Sequence, residues 1–567
     1  MRTFLGLMNS FRKDRRGNIA VIFGIACLPV LSAIGCGVDY SEASRMRAKL
    51  QSAADAAAVA SISQNSQGWL AASQMSGNGA VTTAQTDAMN IFLGNINNVY
   101  NPGNPNPGAN LFTLNTPPTA ATVTKAGVSL TSTVTFNATV PTIFMNIFGF
   151  KSLTVAGSSS ASSSLPMYLD FYVMLDVSGS MGLPSTDAEQ TRLAAVNPDD
   201  FSAYPTGCTF ACHFQAQGSC TNPPVGQKAN AGVLPAYQAY PTNGYCLGYL
   251  ISRVSQSGYQ SLLNSSVTTQ TKTQYPMKTG QVLPSAMLPN VTSSLTGPNS
   301  LLTGNTSSLS NSLTAVTACP TEGTDACIQL RADAVGTAMN ATKVANGVSG
   351  LFETANNSAV IAKQFRIGLF PFIQNLITYS SLTSTITPGS AIQNASANLA
   401  TLLDTGNSPN VGLGSGGTHF ENAFPQMNAI IPPASGGAVG DGSSSTNTKP
   451  FVFLLTDGAQ NFQTCCGFSG SNSATVMASG TSSPCQALKS RGITVAVLYI
   501  PYEPIQNPTT IYNSEDIVAN ANIANIPPSL TSCASPNFFF QATSTSQIAA
   551  ALAAMFNQAL VTAHLTN

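Results

Sequence analysis

An apolar run from Tyr168 to Leu175 breaks directly into Asp176-Val177-Ser178-Gly179-Ser180-Met181. A mostly apolar stretch, broken only by Asp170, suits a strand covered on both faces, and the turn at its end gathers one carboxylate and two hydroxyls. Two later segments share this character. Phe451-Val-Phe-Leu-Leu-Thr-Asp457-Gly458 delivers a second aspartate after another apolar run, and Gly416-Gly417-Thr418 supplies a further hydroxyl. Phe365 to Phe372, Ile493 to Ile500 and Asn537 to Gln541 are also strand-like. Helical stripes follow Ile328, Ala332, Val335, Met339 and Ala345 within 328–348, and Ile548, Leu552, Met555, Phe556 and Leu560 within 546–562. Buried strands alternating with amphipathic helices predict an α/β fold, with a doubly wound, mostly parallel sheet.

Open α/β sheets bind ligands outside the carboxyl ends of their strands, where each of these segments falls. The oxygen donors of Asp176, Ser178, Ser180, Thr418 and Asp457 suit a hard divalent cation. Read instead as local structure, the hydroxyls cap a helix and the aspartates close turns. With these five positions in this order, the chain from about Met167 onward resembles a von Willebrand factor A domain at its metal-ion-dependent adhesion site. That resemblance implies a Mg²⁺ (or Mn²⁺ or Ca²⁺) held mainly by hydroxyls and water, with the aspartates often acting through water. It also implies an open coordination position that accepts a carboxylate from a partner protein. Ser415 is the fallback ligand if the glycine-rich segment from Gly412 to Gly417 aligns differently.

Arg12, Lys13, Arg15 and Arg16 precede an uncharged span from Gly17 to Val38. At ~1.5 Å per residue this span crosses a ~30 Å hydrocarbon core. Basic flanks stay on the cytoplasmic side, which predicts a single-pass inner-membrane protein with its bulk in the periplasm. The expected divisions are a basic stub over 1–17, a transmembrane helix over 18–38 and an exported stalk helix over 39–64. A cleaved secretory signal has an apolar core of only ~7–15 residues and ends at small residues. Ser32-Ala33-Ile34 and Ile34-Gly35-Cys36 are poor cleavage sites, and the residues before Cys36 fall short of a lipobox. Beyond the span, Met46, Leu50, Ala53, Ala57 and Ala60 form one weakly apolar helical face, which calls for a protein neighbour. The segment from Arg15-Arg16-Gly17-Asn18-Ile19-Ala20 through Asp39-Tyr40 to Ala58 is similar to the N-terminal region of TadE/TadG-type pilus-assembly proteins. Joined to a von Willebrand A domain, it resembles the TadG-type proteins of the tight-adherence (Flp) pilus system. Pilins and pseudopilins of that system are cut after a glycine, with a glutamate five residues into the mature chain. After Gly17 that place holds Ile22, so an uncut anchor is expected.

Residues 65–164 read as a small β-rich, pilin-like region and linker. It has a turn-rich loop from Asn101 to Gly108, strands over 121–128 and 130–140, an aromatic patch from Phe144 to Phe150, and a serine-rich linker from Gly157 to Ser164 whose last residues could instead extend a strand. The metal domain is expected over 165–567, interrupted at 182–327 by an insertion rich in Pro, Gly, Ser, Thr and Asn. That insertion either shapes the site or is a surface excursion. It carries Cys208, Cys212, Cys220, Cys246, Cys319 and Cys327; Cys465, Cys466, Cys485 and Cys533 follow. An even number of exported cysteines favours disulfides, while Cys27 and Cys36 are small apolar fillers of the span. Cys208-Thr-Phe-Ala-Cys212-His213 is one residue longer than a haem attachment signal and is more economically a disulfide loop. Three histidines, His213, His419 and His564, and no paired C-x-x-C clusters make zinc a poor fit.

With 22 basic and 22 acidic residues, the chain has no electrostatic footprint for nucleic acid. It shows no G-x-S-x-G elbow and no P-loop lysine, and His419 is its one candidate base beside the site. The expectation is therefore a binding protein rather than an enzyme. Its partner would be a pilus-assembly or envelope protein; the alternative is a surface adhesin that takes a host or matrix ligand through the same site.

Overall fold

A 44-residue helix, α1 (Gly17–Ala60), opens the part of the chain that the computed structural model describes. The described residues are 17–101, 110–115, 120–196, 252–258, 308–309, 313–314, 316–343, 347–403, 412–414, 417–433, 438–460, 475–502, 504 and 515–565. The basic cluster Arg12–Arg16, most of the 101–108 loop, Ser415, Gly416, His213 and six cysteines (Cys208, Cys212, Cys220, Cys246, Cys465 and Cys466) lie outside them. The chain divides between Pro166 and Met167 into two compact units.

In the first unit α1 is followed by α2 (Gln67–Gln74) and α3 (Thr82–Ile96), then by an antiparallel sheet. Its strands are β1 (Gly79–Ala80), β2 (Thr113–Leu114), β3 (Ala120–Ala126), β4 (Ser129–Pro141) and β5 (Ser152–Ser164). The alanine-rich half of α1 finds its neighbour within the chain. Ala43, Met46, Leu50, Ala53, Ala54, Ala57 and Ala58 are buried against Phe92, Val134, Phe136, Ala138 and Val140. Small side chains bury little area each, and they let the helix approach the sheet closely enough for the larger partners to fill the layer. The serine run from Gly157 to Ser164 is a correction to the linker reading. It belongs to β5, which pairs with β4 residue by residue from Ser129↔Ser164 to Pro141↔Ser152. Linker-like composition yields here to a ready-made partner strand whose backbone groups satisfy those of the serines.

The second unit is built on a six-stranded sheet. Its strands are β6 (Leu169–Asp176), β7 (Phe365–Phe372), β8 (Ser380–Thr383), β9 (Lys449–Thr456), β10 (Thr494–Tyr499) and β11 (Phe539–Gln541). They run in the order β8-β7-β6-β9-β10-β11, all parallel except β8 at one edge. This is a doubly wound, mostly parallel sheet. Both faces are covered, as the apolar runs require. On one face Phe171 packs against Phe365, Phe451, Phe453 and Phe556 of helix α8 (Thr545–Leu565). On the other, Phe370, Phe372, Val452 and Leu454 pack with Phe420, Phe424 and Met427 of helix α7 (Phe420–Ile430).

The helix expected over 328–348 is shorter than its stripe. Helix α5 (Arg331–Asn340) stops near Thr342, and α6 (Leu351–Ser358) begins after a turn through Gly347 at φ +75°. Helix α4 (Asp187–Val196) lies at the start of the insertion. The described ends of the insertion are fastened to the domain. Glu189 accepts backbone N–H groups from Gly323 and Gln329, a disulfide joins Cys319 to Cys327, and the guanidinium of Arg253 makes two bonds to Asp333. A second disulfide joins Cys485 to Cys533.

Candidate metal site

The strand order reverses beside β6: β7 and β8 lie to one side, and β9, β10 and β11 to the other. Such a switch point leaves a crevice at the carboxyl ends of the two central strands. Asp176 is the last residue of β6, and Asp457 follows Thr456, the last residue of β9. The pairing of Leu175 with Leu455 sets both turns at the same level. Two carboxylates thus meet at one edge because two apolar strands end in register.

The turn after β6 is fixed by its own polar groups. Ser178 N–H donates to Asp176 Oδ1 at 3.0 Å, and the hydroxyls of Ser178 and Ser180 are 3.1 Å apart. The Ser180 hydroxyl lies near enough to the Asp457 carboxylate to favour its charged form. The Thr456 hydroxyl donates to Asp176 Oδ2 at 2.6 Å and accepts from Gly458 N–H at 2.9 Å. Asp176, Ser178 and Ser180 therefore form one hydrogen-bonded arc, and Asp457 stands beside it. Thr418 is buried on the same edge. The neighbouring His419 N–H donates to Ile373 O just beyond β7, whose last residue, Phe372, pairs with Asp176. His419 turns its Nδ1 toward Glu421 at 2.6 Å, and Glu421 accepts from Gln460 at 2.8 Å.

Both aspartates are almost wholly buried. Burial, and then the charge of Asp457, push the Asp176 carboxyl up to about 7, against the lowering effect of its bonds to Ser178 and Thr456. Burial also raises Asp457, opposed chiefly by Arg331. Two buried carboxylates in mutual repulsion are stabilised by added positive charge.

Part of that charge comes from a residue the sequence reading missed. Arg331, the first residue of α5, places Nη1 3.4 Å from Asp457 Oδ2 while Nη2 donates to Pro501 O at 2.8 Å. The insertion thus returns to the domain by delivering a buried cation to the crevice. The one signal that could have marked it is rarity, since charged residues are 8% of this chain against about 25% in ordinary domains. The donor set fits a hard divalent cation: serine and threonine oxygens, with two carboxylates whose charge a single arginine leaves partly uncompensated. Among the described residues, no cluster of three or more His, Cys, Asp or Glu side chains is placed to hold a metal. A site in this crevice would therefore rest on hydroxyl donors as much as on charge.

Residues 17–64 match the Tad family, described as "Putative Flp pilus-assembly TadE/G-like". No curated protein matches the chain. Solved structures with similar regions include proximal thread matrix protein 1 from the mussel byssus, at 16% identity and TM-score 0.22, over 37% of this chain and 41% of that one. The pilus adhesin SpaC from Lactobacillus rhamnosus GG is 16% identical at TM-score 0.24, over 41% of this chain and 27% of that one. The vWF domain of the type V pili tip protein Mfa5 from Porphyromonas gingivalis is 12% identical at TM-score 0.23, over 41% of this chain and 89% of that one. The chain thus spans less than half the length of the byssus protein and of SpaC. The fold is set by the strand order of the sheet. Residues 17–64 are TadE/G-like, and the larger unit is a doubly wound α/β sheet with a few distant structural likenesses.

Helix α1 is long and apolar enough to cross a membrane. Helix α8 passes the same test, yet Leu552, Met555 and Phe556 are buried in the core of the second unit.

Proposed function

We propose that this chain is a membrane-anchored, exported assembly or adhesion protein of a tight-adherence pilus system. Its second unit would capture a carboxylate of a pilus or envelope protein. The observation that carries this reading is the hydrogen-bonded arc of Asp176, Ser178 and Ser180, with buried Asp457 beside it, at the switch point of the sheet. Asp176, Ser178, Ser180, Thr418 and Asp457 would hold a Mg²⁺, or a Mn²⁺ or Ca²⁺, in that crevice. When bound, such an ion supplies an electrophilic position for an incoming Asp or Glu side chain.

The chain's own part is preorganisation. Ser178 and Ser180 hold their hydroxyls side by side, Thr456 pins one oxygen of Asp176, and Arg331 lessens the repulsion between the two aspartates. His419 is tied to Glu421, an arrangement that suits a structural role better than a catalytic one. The basic cluster ahead of α1 would remain cytoplasmic, with both units exported. The test is affinity capture from cells with the full chain in Mg²⁺ or in EDTA. Capture in Mg²⁺ that is lost in EDTA and in Asp176→Ala, but retained in His419→Ala, supports the reading. Equal capture under all four conditions refutes it.

A further inference from the structure

The loop between β4 and β5 is apolar where a soluble loop would be polar. Ile143 and Ile147 are 75% and 78% exposed, and Phe144, Phe148 and Phe150 are exposed beside them. Within the loop, the 3₁₀ turn Met145–Phe148 ends at Gly149, and Thr142 N–H donates to Lys151 O to close its base. The loop is docked on α1 at one place. Asp39 accepts the backbone N–H groups of Ile143, Phe144 and Met145 at 3.0, 2.9 and 2.7 Å. One turn earlier on the helix, Gly35 lets Phe144 lie so close that a Cβ there would stand 2.6 Å from the Phe144 Cβ.

The position of this dock along α1 carries the inference. From Gly17 to Val38 the helix is uncharged and rises about 33 Å at ~1.5 Å per residue, roughly one hydrocarbon core. Asp39 therefore falls at the outer boundary of that core, and Gly35 lies about 6 Å inside it. A carboxylate at such a depth is costly unless it is paired; three N–H donors and burial in protein satisfy this one. Around the Gly35–Asp39 dock, Ile34 and Val38 are exposed on the helix, and exposed Tyr40 follows. Tyr concentrates at such an interface, and apolar Phe side chains seat into the headgroup and acyl boundary beside it.

We propose that the 142–151 loop is a second membrane contact, seated in the headgroup and acyl boundary of the leaflet from which α1 emerges. Asp39 fixes its depth. This rests on α1 being a membrane anchor, as proposed above. The loop would set the orientation of the first unit against the bilayer, because two contacts define a tilt that one helix leaves free.

The chain has a single tryptophan, Trp69, so depth can be read by fluorescence in the full-length protein. In a Trp69→Phe background reconstituted into vesicles of phosphatidylcholine and phosphatidylglycerol, Phe148→Trp reports the loop. Ile25→Trp reports the middle of the span, and Val59→Trp reports the far end of α1. Brominated acyl chains should quench the reporters at 25 and 148 severalfold more than the one at 59. Quenching at 25 but not at 148 overturns the proposal and leaves the anchor standing. Quenching at neither overturns both. A blue-shifted reporter at 148 that bromolipid does not reach, but that crosslinks to a second protein, makes the loop a protein interface and also overturns the proposal. In wild-type protein, with no substitution to perturb folding, a photoactivatable phospholipid should label the peptide containing Ile147 and Phe148. An unlabelled peptide there counts against the loop contact.

Discussion

Arg331 approaches Asp457 at 3.4 Å while holding the Pro501 carbonyl at 2.8 Å, so the guanidinium is anchored to the backbone and only grazes the carboxylate. An arginine in this position partly satisfies Asp457 and competes with any cation drawn to the same oxygens. Arg331→Gln should therefore raise divalent-ion affinity about tenfold, equal to ~1.4 kcal/mol. It should also lower the melting temperature of the metal-free chain, which would be left with two buried carboxylates and no counter-charge. Calorimetric titration with Mg²⁺ and melting in EDTA check both; an unchanged affinity would mean that Arg331 is a structural residue alone.

Asp176 gives a pH prediction with a definite sign. Its folded carboxyl is raised to about 7, whereas unfolded aspartate titrates near ~3.9. Between these values the folded chain binds more protons than the unfolded chain, so stability falls as pH rises through the window and levels off above it. Metal-free wild type should thus melt lower at about pH 8 than at about pH 5. Asp176→Asn should flatten that slope, and Mg²⁺ should restore stability at the higher pH because ion and proton compete for one carboxylate. Parallel slopes for wild type and Asp176→Asn would remove Asp176 as their source.

The parts of this architecture that the sequence reveals are those where one physical signal dominates. Tyr168–Leu175 and Phe451–Leu455 are legible as strands because both faces must be apolar, and the aspartates after them are legible because strand ends put side chains at the ligand edge. Helix α3 (Thr82–Ile96) is not, since its buried Ala84, Ala88, Phe92 and Ile96 are spaced among polar, low-charge neighbours without a capping side chain. The edge strand β8, Ser-Ser-Leu-Thr, carries three polar residues and one leucine and is held by its neighbour β7. Strand β5 is masked by serine. Arg331 is invisible because its role depends on where a long insertion brings the chain back, and contacts of that kind leave no local pattern.

The disulfide between Cys485 and Cys533 joins the turn before Leu488 to the helix Ile526–Cys533, and both sulfur-bearing residues are buried beside Met477 and Leu530. A bridge across 48 residues removes chain entropy from the unfolded state worth about 4 kcal/mol in the loop-closure treatment. The double variant Cys485→Ala/Cys533→Ala should lose roughly 2–4 kcal/mol in urea unfolding. Mass spectrometry of the chain purified from its own cells should find no free thiol at either position. A stoichiometric free thiol would contradict an oxidising location.

Arg253 and Asp333 make the most consequential pair outside the crevice. Arg253 is wholly buried, reaches both oxygens of Asp333 at 3.0 and 2.8 Å, and also donates to Ile328 O at 2.8 Å. Asp333 in turn accepts Cys319 N–H and Leu330 N–H, so it holds the exit of the insertion and the first turn of α5, the turn that carries Arg331. Removing one partner leaves a buried charge unpaired, which costs about 3–5 kcal/mol. Arg253→Ala should therefore lower stability by that amount and weaken ion binding by displacing the start of α5. Replacing both residues by apolar side chains of similar volume, Arg253→Met with Asp333→Leu, should cost less than either single change, since no charge is then stranded. Urea unfolding of the two singles and the double decides the matter. If Arg253→Ala stays within about 1 kcal/mol of wild type, the range of an ordinary surface pair, the insertion is not fastened through this contact.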